Sequence, residues 1–137
     1  MFAYERTAQY HETDQMGVIH HSNYVKWMEE ARVAFLDSVG LSYRSMEEDG
    51  VLSPVIGISL EYKRPVRFGD VVSITVTPAN YTGVRYELRY TMTNRSTGEV
   101  CTTAVSRHCF LKNGRIVSLK KVLPETDRIL MQDAMKD

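Results

Sequence analysis

The stretch NYVKWMEEARVAFLDSV, residues 23–39, decides the fold of this chain. Its apolar side chains recur at three- and four-residue steps and its charged side chains face the other way, which predicts one long amphipathic helix. The apolar positions are Tyr24, Trp27, Met28, Ala31, Phe35 and Val39. We expect Ser22 or Asn23 to cap the start of this helix and Gly40 to end it in a left-handed conformation.

The segments on both sides of the helix have the pattern of strands. Phe2 to His11 alternates between apolar and polar side chains, which predicts a half-buried strand. After Ser53, four longer strand-like segments are separated by gaps of hairpin length. These segments are Val55 to Arg67, Val71 to Tyr81, Arg85 to Thr93 and Glu99 to Leu111. Strands joined by such tight turns favour an antiparallel sheet over alternating β-α-β units.

Three shorter elements complete the predicted order. A helical turn from Tyr43 to Glu48 is closed by Gly50. Lys112-Asn-Gly-Arg115 is a two-residue hairpin signal, because Asn and Gly tolerate positive φ angles, and it leads to a short strand at Ile116 to Ser118. Pro124 stands where a final helix can begin.

The predicted fold class is α+β, with a curved antiparallel sheet wrapped around one long central helix. The sheet must cover that helix, because the apolar stripe of the helix needs a burial site. The 137 residues fit a single domain, residues 1–137, and a domain of this size buries roughly two thirds of its unfolded surface. The sequence contains no internal repeat, linker or low-complexity run.

Charge and cysteine content favour a cytoplasmic protein that binds neither nucleic acid nor membranes. The 17 basic and 17 acidic residues cancel, so no overall field attracts polyanions. Cys101 and Cys109 lie in one predicted strand, about 26 Å apart at the strand rise, and cannot bridge each other there. The sequence has no charged-then-apolar leader, and it has no apolar run of about 18 residues.

The densest polar segment, residues 11–24, joins the first strand to the start of the long helix. Backbone N–H groups at a helix start are unpaired and carry partial positive charge, so they can stabilise a developing oxyanion. Asp14 lies just upstream, and Gly17 can fold it back toward the helix. A carboxylate beside an oxyanion site suits acyl transfer to water. The alternative is that Asp14 is a turn or cap residue.

Other catalytic patterns are missing from the sequence. His11, His20 and His21 lack metal-ligand spacing, because no H-x-x-x-H, H-E-x-x-H or Cys/His pairing occurs, and we expect no metal site. There is no G-x-S-x-G elbow, P-loop or G-x-G-x-x-G motif. The two cysteines lie mid-strand among Thr and Val, which is typical of small core residues.

Basic residues cluster near the end of one predicted strand, at Lys63, Arg64 and Arg67, and Arg107 lies on another strand. Such charges either form a solvated rim or grip a phosphorylated ligand. The residues alone leave both interpretations open.

The motif Thr13-Asp-x-x-Gly-Val-x-x-His-x-Asn-Tyr24, followed by Trp27 and Glu30-Ala-Arg32, resembles the 4-hydroxybenzoyl-CoA thioesterase and YbgC-like branch of the hotdog family. The similarity extends more weakly from Tyr4 to Leu119 and includes Arg64-Pro-Val-x-Phe-Gly-Asp70. This resemblance implies a hotdog fold and an acyl-CoA thioesterase that uses neither metal nor prosthetic group. It also implies homodimers or homotetramers whose sites lie at subunit interfaces.

Matched by position, the resemblance assigns the catalytic carboxylate to Asp14 and the carbonyl-polarising backbone N–H to His21. Asp14 would either activate a water or attack the thioester to give a mixed anhydride. The predicted substrate-binding residues are Gly17, Tyr24, Trp27, Met28, Lys63, Arg64, Arg67 and Arg107. The aromatic residues and Met28 either shape an acyl slot or pack in the core, and the basic residues would meet the CoA phosphates.

Rival functions remain for the same fold. The hotdog dehydratase branch has a different arrangement, in which a histidine and an acid lie on the central helix. The predicted helix of this chain contains no histidine. A non-catalytic acyl-CoA binding module would not need Asp14 in the motif. Hydrolysis of acyl-carrier-protein thioesters stays open, as does the acyl group. The pair Gln15-Met16 departs from the small residues common in the family, and this departure bears on acyl preference.

Overall fold

The long helix, α1, spans Ser22–Ser38 in the computed structural model of the protein, which describes residues 2–40 and 42–135. The predicted N-cap was wrong: neither Ser22 nor Asn23 holds that position, which falls to His21, whose side chain makes no capping bond. The physical reason lies one residue further back. The Nδ1 atom of His20 accepts the Ser22 N–H at 3.1 Å and so takes over the capping role.

Eight strands occur within the described residues, and five of them make one antiparallel sheet. The strands are β1 (Ala3–Thr7), β2 (Val51–Leu52), β3 (Val55–Tyr62), β4 (Val71–Ala79), β5 (Arg85–Asn94), β6 (Glu99–Cys109), β7 (Leu111–Lys112) and β8 (Arg115–Ile116). The main sheet has the order β1-β4-β5-β6-β3, and β2-β7-β8 form a small second sheet. The predicted antiparallel sheet is confirmed.

The first strand is shorter than predicted. It ends at Thr7 instead of His11, because Tyr10–Glu12 forms one turn of 3₁₀ helix. Tyr10 is therefore 75% exposed and does not continue the inward row of the strand. The break directs the chain from the sheet edge toward α1.

β3 also ends early, at Tyr62 instead of Arg67. The N–H groups of Lys63 and Arg64 both turn to the carbonyl of Cys101, at 2.8 and 3.1 Å. One acceptor shared by two successive donors cannot belong to a regular ladder, so the chain leaves the sheet here.

The remaining elements are α2 (Tyr43–Glu48), α3 (Leu119–Val122) and α4 (Pro124–Met135). The predictions of α2 and α4 are confirmed. Asn113 and Gly114 have φ angles of 53° and 75°, as the predicted hairpin requires. The strand after this hairpin, however, is β8 and not residues 116–118. β2 and α3 are too short to leave a periodic pattern in the sequence, and neither was predicted.

The apolar stripe of α1 packs against the main sheet, and α1 contacts β1 and β4. Trp27, Met28 and Phe35 are at most 4% exposed and share one cluster with alternating residues of β4 and β5. These strand residues are Val72, Ile74, Val76, Leu88, Tyr90 and Met92. Full burial of such a side chain contributes roughly 1.5–3 kcal/mol. The core therefore fixes the position of α1 on the sheet.

A second feature of the interior is a series of linked polar side chains, which we term the core polar chain: Arg32, His108, Ser106 and Tyr90. Arg32 NH1 lies 2.5 Å from His108 Nδ1, and His108 Nε2 lies 2.7 Å from Ser106 Oγ. Ser106 Oγ is in turn 2.8 Å from the Tyr90 hydroxyl. Because Nδ1 accepts from a guanidinium, the imidazole is neutral and Nε2 carries its proton. Burial, followed by the Arg32 charge, lowers the pKa of His108 to about 3.

Candidate active site

Residues 14–18 form a tight loop just before α1. The Asp14 N–H donates to the Val18 carbonyl at 2.8 Å, and the Gly17 N–H donates to the Asp14 carbonyl at 3.1 Å. Gly17 has a φ of +78°, a left-handed conformation that glycine adopts without steric cost. Asp14 Oδ1 accepts the N–H groups of Met16 and Val18, at 2.8 and 3.3 Å. Within residues 2–40 and 42–135, Oδ2 accepts no hydrogen bond, so half of the carboxylate is available.

The start of α1 supplies a backbone donor. The His21 carbonyl accepts the Tyr24 N–H and the Tyr62 hydroxyl, each at 3.3 Å. The His21 N–H itself makes no hydrogen bond within the part of the chain that the structure describes. It stands at the positive end of a 17-residue helix. The imidazole of His21 stacks on His20, with ring centroids 4.2 Å apart.

Asp14 and His21 line the same groove, which has a volume of about 320 Å³. Tyr24, Lys63 and Arg64 line it too, so the structure brings together five residues that the sequence predicted for the site. The volume lies in the range of small-ligand pockets. Residues that carry a carboxylate, a backbone amide donor and two cations therefore line one cavity.

A larger hollow, about 550 Å³, lies on the outer face of α1 next to Tyr4 and Val33. Its two carboxylates are engaged in ion pairs: Glu29 lies 3.3 Å from Arg32, and Glu30 lies 2.9 Å from Arg6. This hollow offers a less suitable site for acyl transfer, because its carboxylates already neutralise arginines.

The predicted acyl-slot residues lie in two places. Tyr24 is 4% exposed and lines the groove. Trp27 and Met28, at 0% and 2% exposed, lie in the core. The indole N–H of Trp27 donates to Glu12 at 2.9 Å, so this ring is held by the segment that precedes the Asp14 loop. Within a single chain, Trp27 and Met28 are therefore core-packing residues and do not line an acyl slot.

The basic residues are likewise divided. Lys63 and Arg64 reach the groove and are half-exposed, with ion pairs to Glu61 and Glu99 at 3.6 and 3.4 Å. The backbone of Arg67 bonds to Asp70 beyond the groove. The guanidinium of Arg107 lies over Gly57 on β3. Along β6, Arg107 is about 20 Å from Cys101, which accepts the Lys63 N–H. Arg107 therefore belongs to the opposite end of the sheet within one chain.

The described residues lack two further kinds of site. No group of three or more His, Cys, Asp or Glu side chains among them is arranged to hold a metal ion. None of the helices formed by these residues has the length and apolar character needed to span a bilayer.

Comparison with protein families identifies the chain. Residues 8–130 match the model of the thioesterase-like superfamily. The chain belongs to this superfamily. The prediction of a hotdog-fold thioester hydrolase is thereby confirmed.

Individual members of the thioesterase-like superfamily agree with this assignment. A Bacillus subtilis protein provisionally named acyl-CoA thioesterase YneP is 36% identical, over 88% of both chains. A 1,4-dihydroxy-2-naphthoyl-CoA hydrolase of Thermosynechococcus vestitus is 25% identical over 96% of this chain and 84% of its own. The crystal structure of a DHNA-CoA thioesterase from Staphylococcus aureus superposes with a TM-score of 0.91, at 30% identity, covering 95% of this chain and 88% of that chain.

Sequence reasoning missed Glu12, which lies two residues before Asp14 and does not line the groove. It is 4% exposed, and its carboxylate accepts hydrogen bonds from Gln9, Arg6 and Trp27, each at 2.9 Å. A signal was present, because Gln9 and Glu12 have the spacing of a capping box and form one around the 3₁₀ turn. Tyr62 was also missed as a residue of the groove.

Proposed function

We propose that this thioesterase hydrolyses an acyl-CoA thioester to the free acid and CoA in the groove between the Asp14 loop and the start of α1. One observation carries the proposal: Asp14 Oδ2 and the His21 N–H both lack partners in the described chain, and both residues line one groove. A thioester carbonyl that points at the His21 amide would be polarised by that donor and by the helix dipole. The Asp14 carboxylate then either activates a water molecule or attacks the polarised acyl carbon itself.

Two routes fit this geometry. As a general base, Asp14 takes a proton from water while the water oxygen bonds to the acyl carbon. The carbon–sulfur bond then breaks, and CoA leaves as a thiolate that is protonated. As a nucleophile, Asp14 Oδ2 bonds to the acyl carbon, CoA leaves, and water hydrolyses the mixed anhydride. Label in Asp14 after a single turnover in ¹⁸O-water would identify the anhydride route, because it requires water to attack the aspartyl carbon of the anhydride.

We further propose an aromatic acyl group. The groove is lined by three rings, and Tyr62 makes edge contacts with Tyr24 and His21, at centroid distances of 5.2 and 6.4 Å. Aromatic pairs favour such geometry, and a planar acyl group could join it. Two of the similar proteins are named for a dihydroxynaphthoyl or DHNA thioester. Thiol release from a panel of acyl-CoAs tests both the hydrolysis and the acyl preference. Aromatic esters should have a higher kcat/KM than short aliphatic esters.

Two rivals have distinct outcomes in the same assay. A carrier-protein thioesterase would hydrolyse the same acyl group faster on a carrier protein than on CoA. A non-catalytic acyl-CoA binding module would bind the ester without releasing thiol. The presence of basic residues at the groove favours CoA, because its phosphates offer charge-assisted contacts to Lys63 and Arg64. Arg67 and Arg107 are secondary candidates for the same role.

We expect a homodimer or homotetramer with sites at subunit interfaces. β3 lies at one end of the main sheet, and several apolar side chains on it are exposed: Val55, Ile56, Ile58 and Tyr62, at 38–52%. An exposed apolar edge strand is a liability that a second copy would remove. The groove residue Tyr62 ends this strand, so such an interface would adjoin the site. Light scattering should give a multiple of 15.7 kDa, and a monomer would contradict the expectation.

Three finer assignments belong to the same proposal. Within the superfamily, the Asp14 motif supports the 4-hydroxybenzoyl-CoA and YbgC-like branch. α1 would be the central helix around which the sheet curves. A cytoplasmic location is supported by Cys101 and Cys109, which are both free and buried.

A further inference from the structure

We propose that Glu12 is a positioning residue of this thioesterase, whose buried carboxylate fixes the Asp14 loop relative to the His21 amide. The inference rests on the proposed roles of Asp14 and His21. Glu12 does not line the groove, so it would act on the reaction through the geometry of these two groups.

The carboxylate of Glu12 joins three elements that meet at the site. Oε1 accepts the Gln9 N–H at 2.9 Å, which closes the 3₁₀ turn after β1. Oε2 accepts from Arg6 on β1 and from the indole of Trp27 on α1, each at 2.9 Å. Both oxygens are thus used, in a position that is only 4% exposed. Such buried charge-assisted contacts are stronger than contacts between neutral groups.

The backbone of Glu12 makes the direct connection to the helix start. Its carbonyl accepts the His20 N–H and the Asn23 side-chain amide, each at 2.9 Å. These two residues flank His21, which would bind the carbonyl oxygen. In the other direction along the chain, Asp14 follows Glu12 by two residues. Glu12 is therefore hydrogen-bonded to the start of α1 and is joined to Asp14 by only one intervening residue.

Glu12→Gln should disturb this arrangement while keeping the size of the side chain. A glutamine has one acceptor oxygen, so either the Gln9 N–H or the Arg6 and Trp27 donors face an NH₂ group. A displacement near 1 Å at a reacting group can cost about 100-fold in rate. We therefore expect kcat to fall roughly 10- to 100-fold, with the CoA dissociation constant changed less than about twofold.

Glu30→Gln is the matched control. Glu30 bonds the same Arg6 at 2.9 Å and also the Tyr4 hydroxyl at 3.0 Å, but it is bonded to neither the Asp14 loop nor the start of α1. This variant should lose stability without a comparable loss of kcat. Trp27→Phe keeps a ring in the core and removes one donor to Glu12, so we expect it to share the kcat loss in weaker form.

Hydrogen exchange provides a readout that does not depend on turnover. Amides of residues 10–24 should exchange faster in Glu12→Gln than in Glu30→Gln, with each variant measured well below its own melting temperature. If the native protein hydrolyses no acyl-CoA, the proposed function fails, and the exchange comparison still tests Glu12. If Glu12→Gln does not fold, Trp27→Phe takes its place in both measurements. Native kcat, equal kcat losses in the Glu12 and Glu30 variants, or native exchange in residues 10–24 would overturn the proposal.

Discussion

Two regions of the molecule, one at the middle of α1 and one just before its start, differ in how completely their polar groups are hydrogen-bonded. Near its middle, Arg32 begins the core polar chain, in which both imidazole nitrogens of His108 have partners. At its start, one oxygen of Asp14 and the His21 N–H have no partner in the described chain, and both residues face a groove. Buried polar groups are normally satisfied. Asp14 is half-buried and His21 is exposed, so a ligand can reach their unused groups, whereas the core polar chain is buried and bonded internally.

The largest effect should follow from removing the available carboxylate oxygen. Asp14→Asn keeps an Oδ1 that can accept the Met16 N–H, so the loop should persist, but it removes the base or nucleophile. We expect kcat to fall by about 10²- to 10⁴-fold, with the melting temperature and CoA affinity near native values. Steady-state thiol release measures the loss. If Asp14→Asn retained native kcat, the carboxylate before α1 would not be the catalytic group, and this region would be as purely structural as the core polar chain.

The next effect concerns the cations at the groove. Arg64→Ala or Lys63→Ala should raise KM for acyl-CoA by about 10- to 100-fold, because a charge-assisted contact contributes roughly 1.5–3 kcal/mol. The phosphates lie far from the reacting carbonyl, so kcat should change little. A pantetheine thioester, which lacks the nucleotide phosphates, should be insensitive to both substitutions.

Arg44→Ala is a suitable control for this test, because Arg44 is also exposed and paired with a glutamate, at 3.8 Å, on α2. A KM increase in Arg107→Ala, but not in Arg64→Ala, would move the phosphates to the other end of the sheet. If KM were unchanged in all of these variants, the basic residues would be only a solvated rim.

The core polar chain should reveal itself in acid stability. The pKa of His108 is about 3 in the folded protein, below its ordinary 6.5, so the unfolded chain binds more protons between these values. The free energy of unfolding should therefore fall as pH drops through this window, by about 2 kcal/mol between pH 7 and pH 5. Denaturant titrations at the two pH values measure the difference.

His108→Gln should flatten this pH dependence even though it lowers stability at neutral pH. His11→Gln, at an exposed position, should leave the dependence unchanged. Equal pH dependence in the native protein and the His108 variant would show that the imidazole is not held neutral by the core.

Removal of metal ions should have no effect on activity. Because a carboxylate and backbone dipoles supply the proposed chemistry, incubation with EDTA should leave kcat and KM unchanged. Activity that is lost in EDTA and restored by zinc or manganese would assign His11, His20 and His21 a different role.

Much of this architecture could be predicted from periodicity, but long-range contacts could not. The three- and four-residue spacing of Tyr24, Trp27, Ala31 and Phe35 is set by the core, so α1 and its buried face follow from the sequence. Asp14 followed from a local motif. The capping-box spacing of Gln9 and Glu12 is local and could have been recognised, but the bonds of Glu12 to Arg6 and Trp27, 6 and 15 residues away, could not. The N-cap was missed for a different, local reason: the ring of His20 accepts the Ser22 N–H in place of the usual hydroxyl or amide side chain.

The loop that holds Asp14 separates two properties that could change independently in evolution. Met16 uses its backbone N–H to bind Asp14, whereas its side chain lines the groove and is 82% exposed. A new side chain at position 16 would alter the groove wall and leave that backbone bond in place. Substrate range can therefore drift among descendants of this gene while the reaction is retained. A small combinatorial library at positions 15 and 16 would sample such descendants in the laboratory.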